Sequence, residues 1–471
     1  MLIKTNTYDT NYETETDVLV IGGGFAGLCA AIEAANAGAE VTLLEKLSEC
    51  GGSSVLSGGL LAFSGTDMQK AAGISDNDTL LYDDLRRAGG QQNVEALVRT
   101  YVANQMAAYE WLLKLGTKFI SVELGAGQGQ PRAHSVHSID FMALMEQRAC
   151  DTGRVKIVFN AAAERLHRVG DYASERVEGV AARINGKATN IRARRGVVLA
   201  AGGFARNAEM VNLFVPHQAK CVVYCGAGCD GDGVRMAWAL GAGLRDVVHI
   251  KGTFGFHPDT GKTAGRDWSK HSVYRGAILV NKQAQRYVDE SKSYKLLGDA
   301  VLTQTDATSY QIFDQAVMDT SSDTAPLFKF KEALKLGRLL SEPTLEALAR
   351  RIGLDPVTLT ETVERYNGFV RNGKDEEFGR IGLSTSYGKL LELKRGPWYA
   401  YPSTSGLIAT YCGITVDTES RVIDVFGEPI AGLYAAGEMT GGFHGVAYMT
   451  GSSLGKCVIF GRIAGRNAAS G

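Results

Sequence analysis

The sequence predicts an α/β fold in which the two ends of the chain build one domain and a second domain is inserted between them. Two observations lead to this prediction. Apolar, strand-like runs end in glycine-rich turns in three places, residues 17–46, 196–207 and 430–469. Residues 248–397 lack that pattern and are rich in polar and aromatic side chains, which indicates a separate insertion.

The first of these stretches reads DVLVIGGGFAGLCAAIEAANAGAEVTLLEK. An apolar run enters Gly22, Gly24 and Gly27, which have G-x-G-x-x-G spacing; a helical segment follows, and a second apolar run ends at Glu45. This order of strand, glycine turn, helix and strand is typical of the βαβ unit that binds a dinucleotide pyrophosphate at a helix N-terminus. We expect Glu45 to accept hydrogen bonds from a ribose and to repel a 2′-phosphate.

A loop rich in glycine and serine, residues 50–66, follows this unit. Its small side chains suit a backbone that lies against an extended ligand. Farther along, residues 77–116 carry apolar side chains at helical spacing, residues 155–160 predict a strand, and residues 177–182 with 191–194 predict a hairpin. These segments are predicted to serve packing rather than chemistry.

The second stretch, Gly196–Asn207, is an apolar strand that enters Gly202 and Gly203. Two such junctions far apart in the chain indicate contact with one long ligand, and this favours FAD over NAD.

In the third stretch, a predicted strand over Leu433–Ala436 meets Gly437 and Glu438. Ser452 or Ser453 is predicted to cap a helix over Leu454–Ala469. A helix N-terminus directed at a flavin would stabilise its anionic reduced ring.

Composition narrows the range of partners. Lys and Arg number 50 and Asp and Glu 51, so no overall field attracts nucleic acid. No apolar run approaches the roughly 20 residues of a membrane helix, and the polar first residues do not resemble a signal peptide.

Cys221, Cys225 and Cys229 recur at every fourth position, but we expect buried thiols and no metal site. A cytoplasmic protein with a small-molecule substrate is expected.

With the three junctions in place, the chain resembles the FAD-binding family of soluble fumarate reductases, succinate dehydrogenase flavoproteins, L-aspartate oxidase and 3-ketosteroid dehydrogenases. The strings that carry the resemblance include DVLVIGGGFAG, GVVLAAGGFA, GAILVNKQAQRYVDES, GLYAAGEMTGGFHG and GRIAG. The resemblance implies an α/β fold whose Rossmann-like FAD-binding domain is discontinuous, over residues 1–247 and 398–471, with an inserted α+β capping domain at 248–397. It also implies redox chemistry at a carbon–carbon bond next to a carbonyl or carboxylate.

The same resemblance implies which residues contact FAD. Glu45 would bind the adenosine ribose and Glu438 the ribityl chain. The loop Ser53–Gly59 lacks the histidine that carries covalent flavin in membrane-bound succinate dehydrogenases, so noncovalent FAD is expected. The expected FAD contacts are Gly22, Gly24, Phe25, Ala26, Gly27, Glu45, Lys46, Gly51, Gly52, Ser53, Ser57, Gly58, Gly59, Ala162, Ala201, Gly202, Gly203, Gly437, Glu438, Ser453 and Leu454.

Three positions depart from the fumarate reductases in the residues that handle the substrate. Where those enzymes carry a proton-donating Arg, a His and a second Arg, this chain has Tyr294, Ala409 and Tyr448. Burying a carboxylate without a cation costs several kcal/mol. Fumarate, succinate and aspartate are therefore disfavoured as substrates.

Tyrosines in these positions are similar to those of the family's 3-ketosteroid dehydrogenases. Oxidising a CH–CH bond next to a ketone needs a base for the α-proton and a donor for the developing enolate oxygen. Tyr448 is expected to be the base, adjusted by Thr450. The string Tyr448-Met449-Thr450 is similar to the Tyr-x-Ser arrangement of the Δ4-(5α) enzymes, with Thr450 in place of the Ser. Tyr294 is expected to be the second hydroxyl, although the two tyrosine roles could be exchanged. Tyr411 and Gly451 are expected to line the substrate site.

Three histidines are not expected to take part in the chemistry. His444 is expected to shape the loop beside the flavin, and His134 and His137 are expected to be solvated.

The leading hypothesis is therefore an FAD-dependent 3-ketosteroid Δ4-(5α)-dehydrogenase that uses a separate electron acceptor or donor. The alternatives are a 3-ketosteroid Δ1-dehydrogenase and a fumarate-reductase-like enoate or enone reductase with a substrate that is not a dicarboxylate.

Overall fold

The computed structural model describes residues 11–170, 175–261, 269–323, 325–383 and 388–471. The chain divides into two compact units. Unit 1 comprises residues up to Val215, Cys225–Ile250 and Ala409–Gly471, and unit 2 comprises Pro216–Tyr224 and Lys251–Ile408.

The strands, in chain order, are β1 Thr14–Ile21, β2 Val41–Leu44, β3 Leu60–Ala62, β4 Val122–Glu123, β5 Ala133–Ser135, β6 Val155–Val158, β7 Ala161–Val169, β8 Arg176–Ile184, β9 Lys187–Leu199, β10 Val222–Val223, β11 Leu244–Arg245, β12 Thr253–Phe256, β13 Ile278–Val280, β14 Ser309–Phe313, β15 Leu340–Glu342, β16 Trp398–Leu407, β17 Gly413–Ile414, β18 Arg421–Ile423 and β19 Pro429–Ala435.

The α-helices are α1 Phe25–Asn36, α2 Asp67–Ala71, α3 Asp78–Ala88, α4 Glu95–Lys114, α5 Ser138–Asp151, α6 Ala208–Phe214, α7 Asp232–Trp238, α8 Tyr294–Leu302, α9 Gln315–Met318, α10 Phe330–Lys335, α11 Leu345–Arg351, α12 Pro356–Asn372 and α13 Ser452–Ser470. Short 3₁₀ helices cover Ser54–Leu56, Pro216–Lys220, Ser272–Arg275, Thr305–Ala307 and Pro326–Phe328.

Unit 1 is built on a sheet of order β18-β19-β9-β1-β2-β6, to which the β7–β8 hairpin is added beside β9. Strand β1 pairs in parallel with β2 and with β9, and β9 pairs in parallel with β19. All three predicted strand-to-glycine junctions therefore end at the same edge of one sheet, because carboxyl ends of parallel strands share an edge. The predicted α/β fold is confirmed.

The first and last helices of unit 1 pack closely. A Cβ placed on Gly461 would lie 2.6 Å from the Ala26 carbonyl oxygen, and one on Gly465 would lie 2.1 Å from that of Ala30. Only glycine permits this approach of α13 to α1. The buried apolar faces of both helices belong to the main core of unit 1.

The predicted cap of α13 differs in the structure. Gly451, with a φ of 84°, is the residue that precedes the helix, and no side chain caps it. The Ser452 hydroxyl instead donates to the Met449 carbonyl at 2.7 Å. The serine prediction was wrong because the chain enters the helix in a left-handed conformation that glycine adopts without strain.

Unit 2 is built around β16, the long strand Trp398–Leu407. It pairs with β14, β12 and β15 antiparallel and with β10 in parallel. Because β16 holds this sheet together, unit 2 extends to Ile408, past residue 397, and it also includes Pro216–Tyr224.

A cluster of buried charges lies in unit 2 directly before α8. Arg286 pairs with Glu290 at 2.7 Å and with Asp375 at 2.8 Å, and all three side chains are inaccessible to solvent. Arg380 lies 3.4 Å from Glu290 and donates to two backbone carbonyls. The cluster fixes the chain at residues 286–290.

Candidate active site

The first junction has the close backbone approaches that the glycine motif predicts. Gly22 has a φ of 108°, and a Cβ there would lie 2.4 Å from the Ala200 carbonyl oxygen. A Cβ on Gly27 would lie 1.9 Å from the Gly22 carbonyl oxygen. At Gly24, by contrast, no atom of the described residues lies within 4 Å of a built Cβ. The backbone at the start of α1 therefore borders open space, where a pyrophosphate could meet amide groups of the first helical turn.

Two adjacent side chains follow β2. The Glu45 carboxylate is 7% exposed and accepts hydrogen bonds from the backbone amides of Gly23 and Leu47, both at 2.8 Å. These bonds fix its orientation and leave lone pairs for further donors such as ribose hydroxyls. Lys46 donates to Asp230 at 2.7 Å and to Asp232 at 2.9 Å. Burial opposes its charge, but these two carboxylates raise the pKa of Lys46.

The glycine and serine loop contacts a segment that the sequence interpretation did not assign to the site. The Ser53 hydroxyl accepts from the Gly226 amide at 3.0 Å and lies 3.1 Å from the Cys229 sulfur. Cys225 and Cys229 are buried free thiols, as expected, whereas Cys221 is only half-buried. The glycine-rich string CGAGC was the signal that could have placed Gly226 here. The same loop contains five further residues that are predicted to contact FAD: Gly51, Gly52, Ser57, Gly58 and Gly59.

The second and third junctions meet at Glu438. A Cβ on Gly203 would lie 2.1 Å from a Glu438 carboxylate oxygen and 2.2 Å from the Thr410 hydroxyl. Glu438 accepts from the Thr410 amide at 2.9 Å and from its hydroxyl at 3.3 Å. Burial raises the pKa of Glu438, although the bonds from Thr410 and the nearby Lys456 oppose this rise. Thr410 was not predicted as a site residue, because its partner lies 28 positions away.

Of the remaining predicted contacts, Ala162 lies on β7, Gly437 follows β19, and Ala201 and Gly202 follow β9. Phe25 and Ala26 begin α1 and are buried. Ser453 and Leu454 lie in the first turn of α13.

Tyr411, Tyr448 and His444 form an aromatic group in unit 1. The two tyrosine rings stack with centroids 4.6 Å apart and planes 22° apart. His444 meets both edge-on, at 5.2 Å from Tyr411 and 6.1 Å from Tyr448. Tyr411 has a φ of 54°, which few residues other than glycine adopt. Such strain is found at functional sites more often than elsewhere.

Thr450 and Gly451 connect this aromatic group to α13. The Thr450 amide donates to the Ala126 carbonyl at 3.0 Å, and Gln128 donates to the Thr450 carbonyl at 2.8 Å. The Gly451 carbonyl accepts from the Ala62 amide at 3.0 Å. The segment between Tyr448 and α13 is thus held by backbone bonds on two sides.

Tyr294 lies in unit 2, where it begins α8 and is half-buried. Its ring centroid lies 6.0 Å from that of His271 and 5.8 Å from the Lys295 ammonium nitrogen. Burial lowers the pKa of His271 to about 4, so this imidazole is neutral near neutral pH.

One predicted environment was wrong. His134 is completely buried rather than solvated, with its ring nitrogens 2.8 Å from the Thr66 hydroxyl and 2.7 Å from the Arg132 carbonyl. Burial lowers its pKa. His137, as expected, is largely exposed. The two differ because His134 lies on β5, which packs against the core, whereas His137 directly precedes α5.

A family model described as an FAD binding domain matches residues 17–454. The chain belongs to this FAD-binding family. This flavoprotein is 32% identical over 462 residues to a probable fumarate reductase of Shewanella frigidimarina, with 96% of this chain and 75% of the relative covered. It is 31% identical over 476 residues to urocanate reductase of Eggerthella lenta, with 97% and 75% covered.

The flavoprotein is also similar to a solved steroid enzyme. It matches the crystal structure of 3-ketosteroid-Δ4-(5α)-dehydrogenase from Rhodococcus jostii in complex with 4-androstene-3,17-dione. The TM-score is 0.77 at 29% identity, and the match covers 98% of this chain and 99% of that one. The predicted resemblance to fumarate reductases and 3-ketosteroid dehydrogenases is therefore confirmed.

FAD is the cofactor of this flavoprotein, which is an FAD-dependent oxidoreductase acting on CH–CH donors. The described residues fit FAD. The open backbone at Gly24 suits a pyrophosphate, the oriented Glu45 carboxylate suits a ribose, and the half-buried Glu438 carboxylate suits the hydroxyls of a ribityl chain. Across the described ranges, every helix is too short or too polar to traverse a lipid bilayer.

Proposed function

We propose that this flavoprotein dehydrogenates the CH–CH bond next to a ring ketone, and that its substrate is a 3-ketosteroid oxidised at the Δ4-(5α) position. The observation that carries this proposal is the Tyr411–Tyr448 stack with His444. By the resemblance to fumarate reductases, Tyr448 stands where those enzymes carry an Arg for a substrate carboxylate. A flat aromatic wall suits an apolar, polycyclic ketone and provides no charge for a diacid.

Each tyrosine has a proposed task. Tyr448 removes the α-proton as general base, and Thr450, two residues on, adjusts its hydrogen bonding. Tyr294 donates a hydrogen bond to the ketone oxygen, where negative charge develops as the enolate forms. Bound FAD, expected to be noncovalent, supplies the hydride acceptor for the β-carbon. Tyr411 and Gly451 are proposed to contact the substrate.

Anaerobic titration of the yellow holoenzyme tests the substrate class. We expect 5α-androstane-3,17-dione to bleach the flavin absorbance, whereas succinate leaves it unchanged, because the carboxylates of succinate would lose their hydration without gaining a cation. Bleaching by succinate but not by the ketosteroid would overturn the proposal. The position of the new double bond, determined by NMR of the product, separates Δ4-(5α) from Δ1 oxidation.

A reductase is the second candidate, and the similarity to a probable fumarate reductase and a urocanate reductase favours it. The same site serves both directions, so a separate donor would reduce the flavin and an enone or enoate would reoxidise it. Reoxidation of the dithionite-reduced enzyme by 4-androstene-3,17-dione would support an enone reductase. Reoxidation by urocanate alone would exclude the steroid in both directions.

A further inference from the structure

Lys295 is the second residue of α8 and lies directly after Tyr294. Its side chain is buried, with 6% exposure. The ammonium nitrogen donates to the Lys251 carbonyl and to the Thr253 hydroxyl, both at 2.9 Å, and lies 5.8 Å from the centre of the Tyr294 ring. A charged group is thus held within the interior of unit 2, against the phenol to which we assign a hydrogen bond with the substrate.

This position is electrostatically unfavourable for a cation. The first turn of a helix carries partial positive charge, and burial removes the water that would stabilise an ammonium group. Burial lowers the pKa of Lys295 to about 7; Cys221 and Asp299 raise it, and Lys251 lowers it further. The charge on Lys295 therefore changes within the neutral pH range.

Among the described residues around Tyr294, Lys295 brings a charged nitrogen to 5.8 Å from the ring centre. His271, whose ring centroid lies 6.0 Å from that of Tyr294, is neutral near neutral pH. Lys251 lies 3.5 Å from Asp299, so these two groups balance each other. A buried lysine with a perturbed pKa beside a candidate catalytic group is a candidate for a functional role.

We propose that Lys295 is a positioning residue that acts through Tyr294: its buried ammonium group polarises the phenol, which then donates a stronger hydrogen bond to the ketone oxygen. This inference rests on the proposed function, which gives Tyr294 the role of donor. A positive charge about 6 Å from a phenol stabilises the electron-rich oxygen, because the effective dielectric constant within a protein is far below that of water. Deprotonation of Lys295 removes this effect.

The first test compares pH profiles of kcat/KM for ketosteroid oxidation by the holoenzyme. For the wild type we expect activity to fall as the pH rises through about 7, because Lys295 loses its proton there. Lys295→Met should lower kcat/KM at pH 6 at least tenfold and abolish that fall. Lys295→Arg should retain activity and also abolish the fall, because arginine stays charged.

The matched control is Lys292→Met, which removes an exposed lysine two residues before Tyr294. It should leave the pH profile unchanged. A second control is Tyr294→Phe, in which adding Lys295→Met should have little further effect if Lys295 acts through Tyr294. A Lys295→Met profile that keeps the wild-type shape, or a full additional loss in the double variant, would overturn the proposal.

A measurement without substrate separates this inference from the proposed function. With 3-fluorotyrosine placed at position 294 of the holoenzyme, the ¹⁹F signal should show a titration step near pH 7 that disappears in Lys295→Met and Lys295→Arg and persists in Lys292→Met. A step that persists in Lys295→Met would overturn the proposal. If ketosteroid fails to bleach the wild-type flavin, the proposed function fails, and the ¹⁹F step still decides whether Lys295 acts on Tyr294.

Discussion

Tyr448 is the residue on which the proposed chemistry depends most. Tyr448→Phe removes the phenol oxygen and keeps the ring that stacks on Tyr411 at 4.6 Å. Because a positioned general base contributes roughly 10²- to 10⁴-fold, we expect the rate of flavin reduction by ketosteroid to fall by that factor with FAD still bound. Single-turnover absorbance at the flavin band measures it.

The control for this change is Tyr310→Phe, which removes a hydroxyl that donates to the Ile352 carbonyl in unit 2. Its rate should match that of the wild type. An unchanged rate in Tyr448→Phe would assign the base to another residue.

Gly203 provides a test of the FAD site. Its substitution by Ala would bring a methyl group within 2.1 Å of the Glu438 carboxylate, so that this side chain must move away from the position we assign to the ribityl chain. We expect Gly203→Ala to weaken FAD binding at least tenfold, about 1.4 kcal/mol. Quenching of FAD fluorescence by the apoprotein measures the Kd.

Gly368→Ala in α12 is the matched control, because a Cβ there meets nothing closer than the Arg371 side chain at 3.9 Å. Alanine should leave FAD binding unchanged and slightly stabilise the helix. Equal Kd values for Gly203→Ala and the wild type would remove Glu438 from the proposed set of FAD contacts.

The residues that could be predicted are those with local signals. Gly22 and Glu45 belong to one βαβ unit of about 30 residues, whose spacing alone encodes the turn and the acidic position. Thr410 and Gly226 carry no comparable pattern, because they reach the site only through folding of distant segments. The burial of His134 likewise depends on β5 packing against the core.

At the scale of elements, the loop that ends with Arg380 and the turn that begins with Arg286 are joined by buried charges. Asp375→Asn leaves the Arg286 guanidinium with one fewer buried partner, and breaking a buried pair in this way destabilises a protein by about 3–5 kcal/mol. We expect that loss in the free energy of unfolding at pH 7. Urea denaturation measures it, and Glu376→Gln, at an exposed position in the same loop, is the control.

The contribution of Asp375 should depend on pH. Burial disfavours its charge, but hydrogen bonds and attraction from Arg286 outweigh burial and lower the pKa of Asp375. A carboxyl whose pKa is lowered on folding contributes stability that is complete above its unfolded pKa, near 3.9, and is lost as the pH falls through the folded value. The gap between wild type and Asp375→Asn should therefore be constant from pH 7 to about 5 and narrow below pH 4. A gap that widens on acidification would contradict this assignment.

Elements were predictable where periodicity is strong and less so at their ends. The helices over residues 77–116 and the hairpin of β8 and β9 follow their apolar patterns. The start of α13 did not follow the serine signal, because the left-handed backbone at Gly451 satisfies the geometry without a side-chain cap. Local propensity favours serine as the N-cap, but in the folded chain Gly451 occupies that position.

At the scale of the whole molecule, FAD should act as a stabilising ligand. Its expected contacts come from segments of unit 1 that are far apart in the chain, so only the folded state can bind it. Binding to the folded state alone raises stability by RT ln(1 + [L]/Kd), about 2.7 kcal/mol at a hundredfold excess over Kd. The melting temperature of the apoprotein should rise steadily with added FAD and not with added NAD. A melting temperature indifferent to FAD would contradict this expectation.

The close packing of α13 on α1 also affects how the protein is made. A nascent chain leaves the ribosome from its N-terminus, so the βαβ unit emerges long before Ser452–Ser470, the helix that covers one of its faces. Until α13 has been synthesised, the apolar surface that it covers stays exposed, and we expect chaperones to bind it or the nascent chain to aggregate there. All residues of unit 2 precede Ala409, so unit 2 can fold before α13 is synthesised.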